Sequence, residues 1–240
     1  MVSFKIKFIF YTYFMKRISI YFKKNFNLLF PIALLCVLFI FSCATSPPYE
    51  SGNFKKSDLV ELTKIDSTIN LDIRYATKNN LVGRAVYKEA RAFLQKPAAS
   101  ALVKVIDELK PLGYGLLIFD GYRPWSVTKL FWDITPEENK KFVANPKDGS
   151  RHNRGCAVDL SLYELKSGKE IQMTGEYDEM SERSYKNYPG GTKKQRKLRN
   201  LLISKMEKNG FEVYEYEWWH FDYNGWEKYR IQNIQFSEIN

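Results

Sequence analysis

The spacing of apolar residues divides the chain beyond position 57 into helices and strands in no regular alternation. Apolar residues recur with helical spacing over 97–109, 124–133 and 193–209, while apolar runs or apolar–polar alternation predict strands over 63–77, 114–120, 156–163 and 211–223. Thr135 and Glu138 have the spacing of a capping box, which predicts that a further helix begins there. This irregular mixture predicts an α+β fold, a single domain with a small, mainly antiparallel sheet flanked by helices.

An export signal is predicted at the beginning of the chain. Residues 28–42 form an apolar run of 15 residues after several basic ones, which suits a signal peptide better than a full membrane span. The run ends in Ile-Phe-Ser-Cys43, which resembles the lipobox of bacterial lipoproteins. We predict a signal peptide over 1–43, lipidation of Cys43, a flexible tether over 44–56 and a folded domain over 57–240. The alternative is an uncleaved N-terminal anchor, and Met15 is a second candidate start.

The positive charge of the chain belongs mostly to this leader. The formal net charge is +10, yet residues 1–42 contain six basic residues and no acidic one. The remainder therefore holds 31 basic against 27 acidic residues, so no nucleic-acid partner is predicted. The basic residues of the helix over 193–209, Arg199 included, are interpreted as a solvated face, with contact to anionic lipid or cell wall as the weaker alternative. No protein partner is indicated.

Cysteine usage agrees with export and leaves the fold dependent on its hydrophobic core. Of the three cysteines, Cys36 would leave with the signal peptide, Cys43 would carry lipid and Cys156 would remain alone. A single remaining cysteine cannot build a disulfide framework. Cys156 lies in an alternating apolar stretch, and no third histidine exists to serve as its base. We interpret it as a small buried side chain and not as a nucleophile.

The two histidines of the chain, His152 and His220, both lie in segments that also contain carboxylates. A catalytic zinc ion keeps three protein ligands and one water, and two histidines with Asp159 would complete such a set. His152 and Asp159 are an odd number of residues apart, so they converge only if His152 precedes the strand and Gly155 turns the chain. Asp159 would then lie on the polar face of a half-buried strand. The alternative is that each histidine is an ordinary core or surface residue.

Glu217 and Arg123 are the candidates for chemistry beside such a metal. Glu217 lies three residues before His220, so the two converge only if the strand begins after Glu217 or contains a bulge. Glu217 would take a proton from a water whose pKa the metal lowers, and neighbouring tryptophans would raise its proton affinity. Arg123 follows an apolar strand at a glycine-containing turn. That position suits an oxyanion partner, although an arginine there is more often an ordinary ion-pair partner.

Four motifs occur in the order that one enzyme family has them. They are Leu-Asp-Ile-Arg-Tyr-Ala-Thr-x-Asn-Asn at 71–80, Asp-Gly-Tyr-Arg-Pro at 120–124, Ser-x-His-x-Arg-Gly-x-Ala-x-Asp at 150–159 and Glu-x-Trp-His at 217–220. Together, over about 65–222, they resemble the zinc D-alanyl-D-alanine dipeptidases of the VanX type. The resemblance implies an α+β fold shared with D,D-carboxypeptidases of cell-wall metabolism and with hedgehog signalling domains.

The resemblance also implies a role for each catalytic candidate. One zinc ion per chain would be held by His152, Asp159 and His220. Glu217 would be general base and acid, and Arg123 would stabilise the transition state, which reverses the interpretation from its position alone.

Three further residues are assigned by the resemblance alone. Tyr75 and Asp178 match residues that the family uses around the free amine of the dipeptide, and Ser150 matches one near its carboxylate end. The stretch between Arg123 and His152 is shorter than in some relatives, so the length of the substrate stays open.

The predicted function is hydrolysis of the D-Ala-D-Ala dipeptide by a lipid-anchored enzyme of the cell envelope, in cell-wall peptide turnover or scavenging. One alternative is a zinc D,D-carboxypeptidase that trims peptidoglycan stem peptides. Another is a non-catalytic binding lipoprotein on the same fold. The presence of both Glu217 and Arg123 argues against the last of these.

Overall fold

Residues 46–239 are described by a computed structural model, and four α-helices and seven β-strands lie in this part of the chain. The helices are α1 (Leu62–Ile65), α2 (Lys96–Leu109), α3 (Trp125–Ile134) and α4 (Lys193–Lys208). The strands are β1 (Leu59–Glu61), β2 (Asn70–Leu71), β3 (Phe93–Gln95), β4 (Tyr114–Asp120), β5 (Ala157–Glu164), β6 (Phe211–Val213) and β7 (His220–Tyr223). The predicted signal peptide and the lipidation of Cys43 fall outside the described residues.

One five-stranded sheet has the order β2-β4-β5-β7-β6, and β1 pairs with β3 in a separate ribbon. Strand β2 runs parallel to β4, whereas the pairs β4–β5, β5–β7 and β6–β7 are antiparallel. This small, mainly antiparallel sheet with its helices confirms the predicted α+β fold. Its register aligns three polar residues, because Asp120 lies opposite Asp159 and Asp159 lies opposite His220.

Both faces of the central strand β5 are buried. One face packs in the main core against α2 and α4, together with residues that include Leu102, Leu160, Leu202 and Trp218. The other face joins a smaller cluster of Leu117, Phe119 and Tyr163, against which Tyr177 packs. Asp159 lies on this second face and is 3% exposed. Asp159 thus lies on the face of β5 opposite the main core, as expected, and this face is buried as well because Tyr177 packs against it.

The elements with the strongest periodicity lie where the pattern predicts them. Strand β4 covers the predicted range 114–120. The ends of α2, α3, α4 and β5 lie within one residue of the predicted ends. Strand β7 begins at His220, after Glu217, as the convergence of those two residues requires. The aromatic stretch 211–223 is two short strands with a turn between them and not one long strand.

Two helix and strand predictions were wrong. The hydroxyl of Thr135 donates to the carbonyl of Phe131 at 2.7 Å, so Thr135 ends α3, and a 3-10 segment follows at Glu137–Phe142. The stretch 63–77 overlaps α1 and holds a strand of only two residues, followed by a 3-10 turn. Its alternation reflects the burial of Ile69 and Ile73 in the main core without a long strand.

Arg199 is an exception to the solvated face predicted for α4. Its side chain is buried, and its guanidinium donates to the carbonyl of Tyr188 at 2.9 Å. Burial lowers the pKa of Arg199, and repulsion from Arg196 lowers it further. Lys193, Lys194 and Lys197 are exposed, as predicted.

The end of the predicted tether contacts the domain. The carboxylate of Glu50 accepts hydrogen bonds from the guanidinium of Arg154 at 2.6 Å and from the backbone N–H of Ile231 at 2.7 Å. The backbone carbonyl of Glu50 accepts from Arg230 at 2.9 Å. The boundaries of leader, tether and domain stay predictions. Among residues 46–239, no helix combines the length and the apolar character needed to cross a membrane.

Candidate functional site

The sheet register brings Asp159 and His220 together. They are directly opposed residues of β5 and β7, and opposed residues of an antiparallel pair project to the same face. The Nδ1 atom of His220 lies 3.0 Å from the Oδ1 atom of Asp159. The Oδ2 atom of Asp159 accepts a hydrogen bond from the Tyr177 hydroxyl at 3.0 Å. One carboxylate oxygen is thus free of Tyr177 and faces the histidine.

His152 reaches the same point from the segment before β5. It opens a 3-10 turn, His152–Arg154, which ends at Gly155 with a positive φ of 69°. A positive φ is a conformation that glycine adopts without strain, and a Cβ at Gly155 would also lie 2.4 Å from the Leu59 side chain, which would have to move. The turn places the Nε2 atom of His152 3.3 Å from the Oδ1 atom of Asp159. The predicted break at Gly155 is present.

The three facing atoms form a nearly equilateral triangle. The Nε2 atom of His152 lies 3.1 Å from the Nδ1 atom of His220, which completes the sides of 3.0 Å and 3.3 Å to Asp159. The other nitrogen of each ring faces an acceptor: the carbonyl of Gly121 for His152 at 2.7 Å, and the Asp222 carboxylate for His220 at 3.0 Å. Those outer nitrogens carry the protons, so neutral rings would direct two lone pairs and an anionic oxygen at one point. Such a point requires a cation.

Neighbouring charges shift the pKa values of Asp159 and His220 in opposite directions. Burial raises the pKa of Asp159, but attraction and hydrogen bonds from His152 and His220 outweigh it and hold that pKa well below the usual value. Burial lowers the pKa of His220, but Asp222 and Asp159 outweigh it and raise that pKa well above 6.5. A metal ion bound at this point would therefore have to displace a proton from His220.

Glu217 lies beside the triangle without joining it. Its Oε2 atom is 3.8 Å from the Nδ1 atom of His220, and its side chain is 16% exposed. Burial, with repulsion from Asp159 and Asp178, raises the pKa of Glu217 to about 8, although His220 lowers it. The predicted rise in proton affinity is confirmed. Trp218 and Trp219 both lie in the main core, and Trp219 also lines the cleft with Glu217.

Arg123 is held in the cleft by a buried carboxylate. The Oδ2 atom of Asp120 accepts a hydrogen bond from the Nε atom of Arg123 at 2.9 Å and forms an ion pair with its Nη2 atom at 2.8 Å. The guanidinium also lies 3.7 Å from the Oδ2 atom of Asp159 and covers the ring of Phe131 at 4.9 Å. The pKa of Arg123, which burial lowers, is raised well above its usual value by Asp120 and by Tyr75. Arg123 is therefore a fixed cation on the wall of the cleft.

The three predicted substrate contacts line the same cleft. The hydroxyl of Tyr75 lies 3.0 Å from both carboxylate oxygens of Asp178. Asp178 has a φ of 62°, the one positive φ at a non-glycine residue in 46–239. Burial and repulsion from Asp159 raise its pKa to about 7. Ser150 is buried, and its hydroxyl accepts from the backbone N–H of His152 at 3.2 Å.

The cleft is small, with a volume of about 150 Å³. Pockets for drug-sized ligands usually measure about 300–1,000 Å³, so this cleft suits a small substrate. It brings together all the predicted site residues that fall within 46–239: Tyr75, Arg123, Ser150, His152, Asp159, Asp178, Glu217 and His220. Cys156 is buried outside it, and burial raises the pKa of its thiol to about 12, so the thiol is neutral at ordinary pH.

The sequence matches a model of a known protein family over residues 55–239, that of the Peptidase_M15 family, described as D-ala-D-ala dipeptidase. The chain belongs to this family. The resemblance to dipeptidases of the VanX type is thereby confirmed.

Curated relatives of this dipeptidase family support the assignment. A D-alanyl-D-alanine dipeptidase of Escherichia coli is 34% identical over 181 residues, which cover 75% of this chain and 92% of that protein. The enzyme of the same name from Enterococcus faecalis is 35% identical over 171 residues, and this matched region covers 64% of this chain and 85% of that protein. A solved structure, the D,D-dipeptidase VanXYg with a D-Ala-D-Ala phosphinate analog, covers 75% of this chain and 59% of that one, at 18% identity and a TM-score of 0.39.

Sequence reasoning missed three residues of this dipeptidase-family site. Asp120 holds Arg123, Tyr177 donates to Asp159, and Asp222 accepts from His220. Asp222 had a usable signal, because residues two apart on a strand share a face. Asp120 begins the motif at 120–124 and Tyr177 precedes Asp178, yet no pattern in the sequence indicates what the side chains of Asp120 and Tyr177 contact.

Proposed function

We propose that the protein hydrolyses the D-Ala-D-Ala dipeptide to two D-alanines with one zinc ion at the triangle of His152, Asp159 and His220. The triangle is the observation that carries this proposal, because three ligand atoms converge where neutral rings need a cation. The names of the curated relatives support the substrate.

The donor set fits zinc. Two imidazole nitrogens and one carboxylate oxygen are ligands of catalytic zinc sites, which keep a further position open. Zinc–nitrogen bonds of about 2.0–2.1 Å in a tetrahedral site imply about 3.3–3.4 Å between ligand atoms, close to the observed sides of 3.0–3.3 Å. Zinc held there would polarise the peptide carbonyl and lower the pKa of a water molecule from about 15.7 towards about 7.

Glu217 would carry the protons of the reaction. Its carboxylate, at the edge of the triangle, would take a proton from the attacking water and deliver it to the departing amine nitrogen. A pKa near neutrality serves both steps, since the group must accept a proton and then release it. Arg123, fixed by Asp120, would hold the carbonyl oxygen as negative charge develops on it.

Asp178 would select a substrate with a free amine. The half-buried carboxylate lies on the wall of the same small cleft and is oriented by Tyr75. An ammonium group would neutralise it and lower its raised pKa. Ser150 would lie near the carboxylate end of the substrate. A blocked amine or a long stem peptide would not make these contacts, which favours the dipeptidase over the carboxypeptidase.

We also propose that the enzyme acts in the cell envelope, anchored by lipid on Cys43. The support is the sequence of residues 28–43, with its apolar run and lipobox-like end. An exported dipeptidase would serve turnover or scavenging of cell-wall peptides. Mass spectrometry of the N-terminal peptide tests the lipid: an acylated Cys43 is expected, and an unmodified peptide that begins at Met1 or Met15 would refute it.

The catalytic proposal is tested by zinc analysis with a substrate panel. We expect one zinc per chain and release of D-alanine from D-Ala-D-Ala, with far slower cleavage of N-acetyl-D-Ala-D-Ala, L-Ala-L-Ala and a stem pentapeptide. His152→Ala should lose both zinc and activity. A protein that binds zinc and prefers the pentapeptide would be a carboxypeptidase. A protein without zinc, or with zinc and no hydrolysis, would refute the proposed reaction.

A further inference from the structure

Asp222 is the unexplained carboxylate of the cleft. It lies two residues after His220 on β7, so both side chains project to the same face of the sheet. Its Oδ1 atom lies 3.0 Å from the Nε2 atom of His220, on the side of the ring away from Asp159. We propose that Asp222 is a positioning residue that fixes the tautomer and ring plane of His220 for metal binding. This inference rests on the proposed zinc site.

The two histidines need opposite tautomers, and different partners set them. His152 donates from Nδ1 to the carbonyl of Gly121 at 2.7 Å, which leaves Nε2 for the metal. His220 faces the triangle with Nδ1, so its proton must reside on Nε2. An imidazole ligand is held in one tautomer by an acceptor on its other nitrogen, and a carboxylate acceptor also increases its basicity. Asp222 is the acceptor that His220 has at that nitrogen.

The second oxygen of Asp222 pairs with an arginine. The Nε atom of Arg151 lies 3.5 Å from its Oδ2 atom, and the Arg151 guanidinium covers the ring of Trp226 at 4.7 Å. Asp222 therefore faces His220 with one oxygen and forms an ion pair with Arg151 through the other. Because Arg151 adjoins His152, this chain of contacts joins the segments that carry the two histidine ligands.

The test measures zinc affinity by competition with a chelator. Loss of such a partner usually weakens metal binding about 10–100-fold, so Asp222→Ala should show a loss in this range. Asp222→Asn should lose less, because its amide oxygen still accepts from Nε2. The matched control is Glu212→Gln, which removes an exposed carboxylate directly opposite Asp222 on β6 and should change affinity less than about threefold.

The tautomer gives a second readout that does not depend on activity. With only two histidines, a long-range ¹H–¹⁵N spectrum of the zinc-loaded protein should show one ring protonated at Nδ1 and one at Nε2. In Asp222→Ala the Nε2 proton signal of His220 should be lost to exchange with water, while the Nδ1 proton of His152 persists as internal control.

The outcomes separate this inference from the proposed function. If the parent protein binds no zinc, the zinc site itself fails. If the parent binds zinc and Asp222→Ala binds it within about threefold, or Glu212→Gln loses as much, Asp222 is not a positioning residue. If Asp222→Ala does not fold, Asp222→Leu decides, because leucine is close to aspartate in size and has no acceptor: zinc affinity within about threefold of the parent and a retained Nε2 proton signal of His220 would overturn the inference.

Discussion

Replacement of Asp120 by asparagine tests whether this carboxylate holds Arg123 in the position proposed for the oxyanion partner. Asp120 is 1% exposed and accepts three hydrogen bonds: one from the Nε atom of Arg123 on Oδ2, and one each from the Tyr87 hydroxyl and the Gly121 N–H on Oδ1, all at 2.9 Å. The Nη2 atom of Arg123 also forms an ion pair with Oδ2 at 2.8 Å. Asparagine has nearly the same shape, but its NH₂ group cannot accept. Whichever way the amide turns, its NH₂ group faces two donors, and the charge that pairs with Arg123 is gone.

The structure gives the expected size of the effect. Removal of one partner from a buried ion pair costs about 3–5 kcal/mol, and Asp159 at 3.7 Å from Arg123 compensates in part, so we expect about 3 kcal/mol. For a domain near this size each kcal/mol lowers Tm by about 2–4 °C, which gives about 6–12 °C. Loss of an oxyanion donor costs about 10²–10³ in kcat. Since Arg123 is displaced and not removed, kcat should fall about 10²-fold.

The assay is D-alanine release by zinc-loaded protein, with thermal unfolding followed by circular dichroism. The matched control is Tyr87→Phe, which removes one donor to the same carboxylate and leaves Arg123 paired. It should cost about 1 kcal/mol and leave kcat within about threefold. The reasoning is refuted if Asp120→Asn keeps a normal kcat while Arg123→Ala loses it.

Three further variants have distinct expected outcomes. Glu217→Gln should retain zinc and lose about 10²–10⁴ in kcat; near-parental turnover would exclude Glu217 as the base. Asp178→Asn should raise KM for D-Ala-D-Ala yet raise Tm at pH 8 and not at pH 4. Burial raises the pKa of Asp178 to about 7, so the folded parent loses stability as the pH rises from about 4 to about 7. Asparagine avoids this loss because it carries no charge, and it tolerates the positive φ of this position. An equal Tm of variant and parent at pH 8 would contradict this reasoning. Glu50→Ala should speed proteolysis within 46–56, because it removes the ion pair with Arg154; unchanged cleavage, read by mass spectrometry, would show that the pair does not hold the segment.

Local periodicity was sufficient for the elements that bury one clear stripe or run. Strand β4 and helices α2 and α4 were predictable because their apolar spacing has one interpretation. The structure of the stretch 63–77 was not predictable in this way. An alternation of apolar and polar residues also arises where single side chains of an irregular segment reach the core. The prediction that Thr135 begins a helix was wrong for a related reason. A threonine hydroxyl can cap the helix that follows or donate to a carbonyl of the helix that precedes, and only the packing of α3 selects between the two.

The sequence by itself determined the ligand types and the family, because two histidines and four ordered motifs leave few assignments. It also determined the local turns, since Gly155 must break the chain between His152 and Asp159. Only the tertiary structure decided the partners of each side chain. Asp120, Asp159 and His220 meet because strand register aligns them across three strands, and register depends on the packing of the whole sheet. The hydrogen bonds that select histidine tautomers and fix Arg123 therefore follow from long-range packing, which local sequence does not encode.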